Sequence, residues 1–503
     1  MKHVVVIGGG MAGLAAAYAL GRAGVRVSVF EAAPFVGGRF ATIGRVSFSY
    51  GGTEHAFPIE HGLHGIFRHY VNFRALLAEV APDTELRPSR SQDFVFVGER
   101  GELHQIEIGA RVRESILPSL FALMKVQVAP EVARAQTFTF ERLKASLRGL
   151  ELFAFDPARD AARLDERSVA DFIAGWPPVQ AALVRALTRS GSFAEPEETS
   201  LGGFVAGLVF YAFGDKRNSA FDVFALETER AVIAPLVRAI EAHGGAVRTN
   251  APVTRVLVEA GRAVGVLVGE ELVRADAVVL AVDPPAYRKL ALASDPALAA
   301  DAPDFGIGFP TLAVRVFTTR DFSRSRAETG VFAGLPGDAY FWLHRLQDPF
   351  AAWHARTGGG VLEVHLYGDR ARRAATLEDA VVADEVVALA TRAWPEVSGS
   401  VVHTHVQRNP PAQVAFPPGS ATKLPGTSTK LPNIARCGDW ITLDPWTYHL
   451  ERATATGFAA ARGIAAALVA DVTRMPTPRV PEVRSRSMRA AAAVLGRWAR
   501  ASV

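Results

Sequence analysis

Apolar and polar positions alternate in two rhythms along this chain, and the first eighty residues show both. From Val4 to Gly21 no residue carries a charge. That length alone would allow a signal peptide or a marginal membrane span. Glycines at 8, 9, 10 and 13 argue against both, since they weaken a helix in its middle yet suit a tight turn. The pattern predicts a buried strand Val4 to Ile7, a Gly-rich turn, a helix from about Met11 to Ala23, and a second strand Val25 to Phe30. Further on, Ile233 to His243 is apolar at helical spacing and closes on Gly244-Gly245. Strands are expected at Val253 to Val258, Ala263 to Val268 and Ala277 to Ala281. A short strand ends at Gly438-Asp439, and a helix follows near Glu451. No other uncharged apolar stretch reaches a spanning length, so an integral membrane protein is not expected.

Composition narrows the class. At 503 residues, 49% hydrophobic and 21% charged, the chain is globular and long enough for two or three domains. A formal charge of +4 is too small to imply nucleic-acid binding. The single cysteine excludes an internal disulfide framework or a Cys-based metal site and fits a reducing cytosol. The 13 histidines show no metal-ligand spacing and no hydrolase motif, so no metal is expected.

The glycines carry chemistry. Gly8-x-Gly10-x-x-Gly13 lies after a strand and at the start of a helix. There the first Gly turns the chain, the second admits a pyrophosphate, and the third packs helix on strand. Helix N-terminal amides then stabilise phosphate charge. Glu31, at the end of the second strand, can accept both hydroxyls of an adenosine ribose. Gly37-Gly38-Arg39 adds close backbone approach and a guanidinium for pyrophosphate or flavin oxygens. Asp439 can hold a ribityl hydroxyl, and the helix after it can stabilise negative charge on a flavin. A nicotinamide protein has no reason to return to its cofactor so late in the chain, so the expected dinucleotide is FAD.

These motifs resemble the FAD-dependent carotenoid desaturase and flavin amine oxidase superfamily. The stretch Pro58-Ile59-Glu60-His61-Gly62-Leu63-His64-Gly65-Ile66-Phe67-Arg68-His69-Tyr70-Val71-Asn72 is similar to zeta-carotene-type desaturases. It is closer still to the β-carotene desaturase/methylase (isorenieratene synthase) group, as is the region from Gly438-Asp439-Trp440-Ile441 to Leu450-Glu451-Arg452-Ala453. The resemblance implies an α/β fold in which a Rossmann-type FAD-binding domain interleaves with an α+β substrate domain. Expected boundaries are 1–75, 225–290 and 425–470 for the FAD domain, and 76–224 and 291–424 for the substrate domain. Residues 471–503 are expected to form a linker and a basic amphipathic helix. FAD would be held non-covalently by Gly8, Gly10, Met11, Ala12, Gly13, Glu31, Gly37, Gly38, Arg39, Gly62, Leu63, His64, Val253, Gly438, Asp439, Glu451 and Ala453. The implied reaction is desaturation of a lipophilic carotenoid or related polyisoprenoid by hydride transfer to flavin N5. A methyl shift is an added step in the methylase branch, with quinone or oxygen as acceptor.

Glu60, His64 and Glu451 are the candidate catalytic groups, with His61, Arg68, Asp444 and Tyr448 nearby. If the 60–64 segment is extended, residues 60, 62 and 64 share a face. The alternative for His64 is a core histidine satisfied by Glu60. Leu63, and the bulky Pro445-Trp446-Thr447-Tyr448-His449 stretch, depart from the methylase pattern. Two other readings stay open. One is a soluble flavin amine oxidase with an aromatic cage from Trp440, Trp446 and Tyr448, and the other a non-redox flavin-dependent isomerase.

Charge is unevenly placed. From Arg474 onward there are seven arginines and one acid, Glu482. On a helical wheel Arg486, Arg489, Arg497 and Arg500 fall opposite a stripe of Met488, Ala491, Val494, Leu495 and Trp498. This pattern suits a helix lying on an anionic membrane or docked on the protein's own surface. The apolar segment Ile116 to Met124, flanked by Arg111, Arg113 and Lys125, could dip into lipid. The expected location is cytoplasmic, peripheral on the inner face of the cell membrane.

Overall fold

Five strands drawn from distant parts of the chain lie parallel in one sheet. They are β1 (His3–Ile7), β2 (Arg26–Phe30), β3 (Ala246–Arg248), β4 (Ala277–Leu280) and β5 (Ile434–Arg436), in the spatial order β3-β2-β1-β4-β5. The computed structural model describes residues 1–117, 122, 129–137, 139–141, 148–149, 152, 155–303, 308–443, 447–482 and 484–501. Every residue of β1 is buried, which is why its sequence reads as an unbroken apolar run rather than an alternation. Helices α1 (Met11–Arg22) and α3 (His449–Ala467) pack closely on the sheet. A Cβ on Gly457 would lie 2.4 Å from the Ala12 carbonyl oxygen, so only glycine permits this helix–helix approach.

The predicted elements of this sheet are present within one or two residues of their expected ends. The Ile233–His243 helix is different at its start: a π-helical turn, Glu229–Ile233, runs into an α-helix at Ala234–Ala242. The strands Val253–Glu259 and Arg262–Val268 are also present, but they pair with Glu271–Arg274 in a separate antiparallel meander. Only β3 and β4 of this region join the parallel sheet.

A second body is built on a seven-stranded mixed sheet. Its order is Val401–Asn409, Thr311–Thr318, Val361–Leu366, Ala339–Trp342, Thr329–Ala333, Gln92–Val97 and Leu103–Glu107. Its own core contains Trp342, Trp394, Tyr340 and Leu389. The fold is thus α/β with a distinct mixed-sheet body. A hairpin, Thr42–Tyr50 with Thr53–Glu60, leads from the parallel sheet toward the second body. A small sheet formed by 66–67, 221–224 and 86–88 joins segments far apart in sequence. Between these lies α2 (Val71–Val80).

No described helix is long and apolar enough to cross a membrane. The expected linker after residue 470 does not leave the body. Met475 is buried in the core around α1, and Asn72 exchanges two hydrogen bonds with the Arg479 backbone, at 2.7 and 2.9 Å. The tail helix Arg486–Ala501 begins docked: the Ser485 N–H donates to Gly214 O, and Met488 is buried. Of the two readings of this stripe, the inward packing of Met488 agrees with a helix docked on the protein's own surface at its start. Val494 is exposed, and the side chains of Leu495, Arg497, Trp498 and Arg500 lie outside the described residues. So does most of the Ile116–Met124 segment, whose first two residues are exposed.

Candidate active site

The Gly-rich turn divides its glycines by task. Gly8 has φ +103°, and a Cβ there would sit 2.6 Å from the Ala281 carbonyl oxygen. A Cβ on Gly13 would lie 2.0 Å from Gly8 O, so α1 is pressed onto the turn. Gly10 is the opposite case: nothing stands within 4 Å of its Cβ position. That open side, next to the first amides of α1 at Met11 and Ala12, is where a pyrophosphate can approach backbone donors. Glu31 is fixed beside it, accepting from Gly9 N–H at 2.7 Å and Ala33 N–H at 2.8 Å. Its remaining lone pairs are free for hydroxyl donors. Hydrogen bonds from Asn250 and Ala251 to the 31–33 segment bring Val253 into the same neighbourhood.

Gly37 and Gly38 both have positive φ, and Gly37 N–H donates to Gly9 O at 2.7 Å. This lays the second glycine pair across the first. Arg39 then reaches Asp439 at 2.7 Å and bonds Gln413. Burial opposes ionisation of Asp439, but the Arg39 guanidinium holds its carboxyl below the usual range. Gly438 and Thr456 exchange two hydrogen bonds at 3.0 Å, tying the end of β5 to α3, with Ala453 one turn earlier on that helix. An open side at Gly10, a carboxylate at Glu31 and an Arg–Asp pair at Arg39 and Asp439 are donors and acceptors of the kind that FAD requires.

The 60–64 segment is not extended. The strand stops at Glu60, and Gly62 has φ +143°, so residues 60, 62 and 64 do not share one strand face. Glu60 and His64 still meet, with Nδ1 of His64 3.9 Å from the carboxylate. Glu60 is buried and accepts from Thr228 N–H (2.6 Å), Thr228 Oγ1 (2.7 Å) and Thr42 Oγ1 (3.0 Å). Burial raises its pKa, yet these donors and His64 hold it below the usual carboxylate range. Nε2 of His64 lies 3.2 Å from Arg39 O, which leaves Nδ1 without a hydrogen-bond partner.

Sequence reasoning missed what holds this turn. Leu63 N–H donates to Glu363 Oε1 at 2.9 Å. Glu363 is wholly buried, paired with Arg315 at 2.7 Å and His365 at 2.8 Å, and His365 bonds the Tyr367 hydroxyl at 2.6 Å. Arg315 also bonds Pro58 O, and Asn409 bonds His61 O at 2.7 Å. A Cβ on Gly62 would lie 2.5 Å from the His365 ring. The seven-stranded sheet thus grips the turn that Gly62 and Leu63 form.

Glu451 is placed otherwise than expected. Its carboxylate accepts from Asn72 N–H at 2.9 Å, Asn72 Nδ2 at 2.6 Å and Phe73 N–H at 3.0 Å, and the residue is fully buried. These are first-turn donors of α2, so Glu451 caps that helix from another element. The geometry gives it an anchoring role in place of a catalytic one. Asp444 and Trp446 lie outside the described residues. Trp440 is buried against Tyr287 and donates to Val282 O at 3.0 Å, so it cannot contribute to a substrate cage. Arg68 lines a different cleft altogether. Cys437 is fully buried, and desolvation pushes its thiol well above the ordinary value.

A cavity opens at Asp439, lined by Phe193, Phe204, Phe416, Tyr448, His449 and Arg452 among others. Behind this lining, rings pack on one another: His449 against Phe193 at 5.5 Å and Tyr211 at 6.0 Å, Phe193 against Tyr367 at 4.9 Å, Tyr211 against Phe67 at 4.6 Å. Tyr211 lies in a π-helical turn, Val209–Phe213. Phe193, the left-handed C-cap of the helix Pro178–Ser192, and His449 both carry positive φ, 57° and 46°. Away from this cavity, Asp321, His344 and His354 place ligand-type atoms within 4.8 Å of one another, a group the sequence did not reveal. Hydrogen bonds account for its His344–Asp321 contact: Val361 N–H donates to His344 Nδ1 at 3.0 Å, leaving Nε2 to donate to Asp321 at 3.1 Å.

Fold and site together define a flavoprotein oxidoreductase, and the chain belongs to the flavin containing amine oxidoreductase family, whose model matches residues 11–465. FAD is its non-covalent cofactor. Within that family the chain is 28% identical to carotenoid phi-ring synthase of Streptomyces griseus, over 92% of this chain and 87% of that protein. A shorter match, 34% over 105 residues, is to a probable zeta-carotene desaturase of Synechococcus elongatus, covering 21% of this chain and 20% of that one. Among solved structures, cyclohexylamine oxidase from Brevibacterium oxydans superposes with a TM-score of 0.69 at 18% identity, over 93% of this chain and 99% of that one, a likeness of fold.

Proposed function

We propose that this flavoenzyme oxidises a carotenoid or related polyisoprenoid, with the parallel-sheet body holding FAD and the mixed-sheet body shaping the substrate channel. The observation that carries the reading is the likeness to carotenoid phi-ring synthase over 92% of this chain, together with the Phe193, Phe204, Phe416, Tyr448 and His449 side chains that line the cavity at Asp439. An apolar polyene offers no charged handle, so shape and exclusion of water must position it. Bound FAD supplies a two-electron acceptor for hydride. The protein's part is to hold the reacting carbon, exclude water and manage protons. With Nε2 of His64 engaged by Arg39 O, a proton taken up by that ring goes on Nδ1, facing Glu60. Aromatic faces near the cavity would stabilise a ring cation if methyl migration accompanies oxidation. The similarity to carotenoid phi-ring synthase supports this reading over an amine oxidase, as does the burial of Trp440 away from any cage.

The reading includes contact with the cytoplasmic membrane face through the distal half of the tail helix, and re-oxidation by quinone or oxygen. Expression in carotenoid-producing bacteria tests it, with pigments resolved by chromatography and mass. Loss of hydrogens in pairs is the expected result, and unchanged mass with altered retention would indicate isomerisation. No change in lycopene, γ-carotene and β-carotene backgrounds would overturn the assignment.

A further inference from the structure

A second cleft, about 420 Å³, shares no residue with the cavity at Asp439 and plays no part in the redox reading. Four arginines line it, Arg68, Arg74, Arg90 and Arg113, against two carboxylates, Glu114 and Asp222. The Asp222 carboxylate is committed to Arg74. Arg68 is held by Asn218 at 2.8 Å, with Asp215 3.7 Å away. Arg217 stands 3.2 Å from Asp215 and adds charge of the same sign. The Arg90 guanidinium has no side-chain partner among the described residues, although its backbone is fixed by Glu328 and Arg113.

Among the described residues, two donors in the cleft wall have no acceptor. Ser89 is only 3% exposed, its N–H is bound to Phe221 O at 2.9 Å, and its hydroxyl has no partner. Nη1 of Arg113 is likewise buried without an acceptor. Orphaned buried donors are uncommon in folded proteins and call for an explanation. Beside an excess of guanidinium they describe the complement of one ligand chemistry: a tetrahedral oxyanion with several acceptor oxygens. Just beyond Glu114 the chain presents Ile116, 98% exposed, and Leu117, 40% exposed. A cationic cleft with apolar side chains at its rim suits a phosphate carried on a lipid.

We propose that this cleft binds a phosphate group, with Arg90, Arg68 and the Ser89 hydroxyl as its donors. Two sources share that chemistry, the headgroup of an anionic phospholipid and free phosphate, and two probes separate them. The FAD-loaded full-length protein would be titrated with inorganic phosphate against chloride at matched ionic strength, reading its thermal midpoint. In parallel it would be floated with phosphatidylglycerol or phosphatidylcholine vesicles. Arg90→Gln tests the site without touching the cavity at Asp439, since that side chain is exposed and unpaired; Ser89→Ala tests the buried donor.

Arg90→Gln is expected to weaken binding of whichever probe binds by about tenfold, the usual worth of one charge-assisted hydrogen bond. Ser89→Ala should weaken it by a smaller factor. A phosphate-dependent midpoint shift that both variants reduce would establish a free-phosphate site. Flotation with phosphatidylglycerol alone, reduced by both variants, would establish a headgroup site. Binding of neither probe, or binding that Arg90→Gln and Ser89→Ala leave at wild-type strength, would overturn the proposal. Pigment conversion should be retained by both variants in every case.

Discussion

Glu451 separates an anchoring carboxylate from a catalytic one. Its oxygens satisfy two backbone N–H groups in the first turn of α2 and the Asn72 amide, at distances from 2.6 to 3.2 Å. Tyr70, the residue preceding that helix, offers no side-chain cap of its own. Glu451→Ala therefore strands two buried helix donors, each costing ~1–3 kcal/mol, and opens a small void. The expected loss is about 4 kcal/mol. Glu451→Gln keeps one acceptor oxygen but turns an amide donor toward another donor, for a loss of about 2 kcal/mol. Two measurements check this: hydrogen exchange at the Asn72 and Phe73 amides, and the temperature at which flavin fluorescence is released. Both amides should exchange faster in the order Ala, Gln, wild type. Pigment conversion per loaded flavin should change less than threefold in Glu451→Gln. Wild-type exchange and stability with conversion abolished would refute the capping role and return Glu451 to the chemistry.

Other outcomes follow from the same geometry. Asp439→Asn leaves Arg39 without its counter-charge and should lower FAD retention about tenfold, read as the flavin-to-protein absorbance ratio after dialysis. Gly457→Val drives a side chain into Ala12 O and Ala15, so α1 and α3 must part; a destabilisation of about 3 kcal/mol or more is expected in denaturant unfolding. His69 is buried, has no hydrogen bond on either ring nitrogen, and burial followed by Arg68 and Arg74 depresses its pKa to about 3. The unfolded chain protonates this ring near its ordinary 6.5 while the folded one does not. Stability should therefore be full above that value and fall by about 3 kcal/mol on reaching about pH 4. His69→Phe, packed on Phe210, should flatten this slope; an unchanged slope would locate the acid sensitivity elsewhere.

The parts of the site legible in sequence are those whose residues act locally. Gly8, Gly10 and Gly13 announce themselves because one tight turn must bend, open and pack within six residues. Gly438-Asp439 is readable because a strand end and a helix start follow one another. The course of the 60–64 segment is not legible for a local reason too: a glycine can continue a strand or break it, and the crowding of His365 against Gly62 accompanies φ +143°. The role of Glu451 is not legible in the same way, because it depends on a distant element. Its partner Asn72 lies 379 residues away.

That separation explains what decides the chemistry of this fold. The dinucleotide cradle needs backbone shape, which nearby glycines encode. The turn at Gly62 and Leu63 needs side chains brought from the opposite sheet, and Arg315, Glu363 and His365 are ordinary strand residues until the register sets Arg315 across from Glu363. Once paired, they present one carboxylate oxygen to the Leu63 amide and one ring to Gly62. The Gly62–Leu63 turn is then fixed by a charge pair buried in another body of the protein. Breaking a buried ion pair at one partner is costly because the other charge is stranded, so this grip resists drift at either sheet.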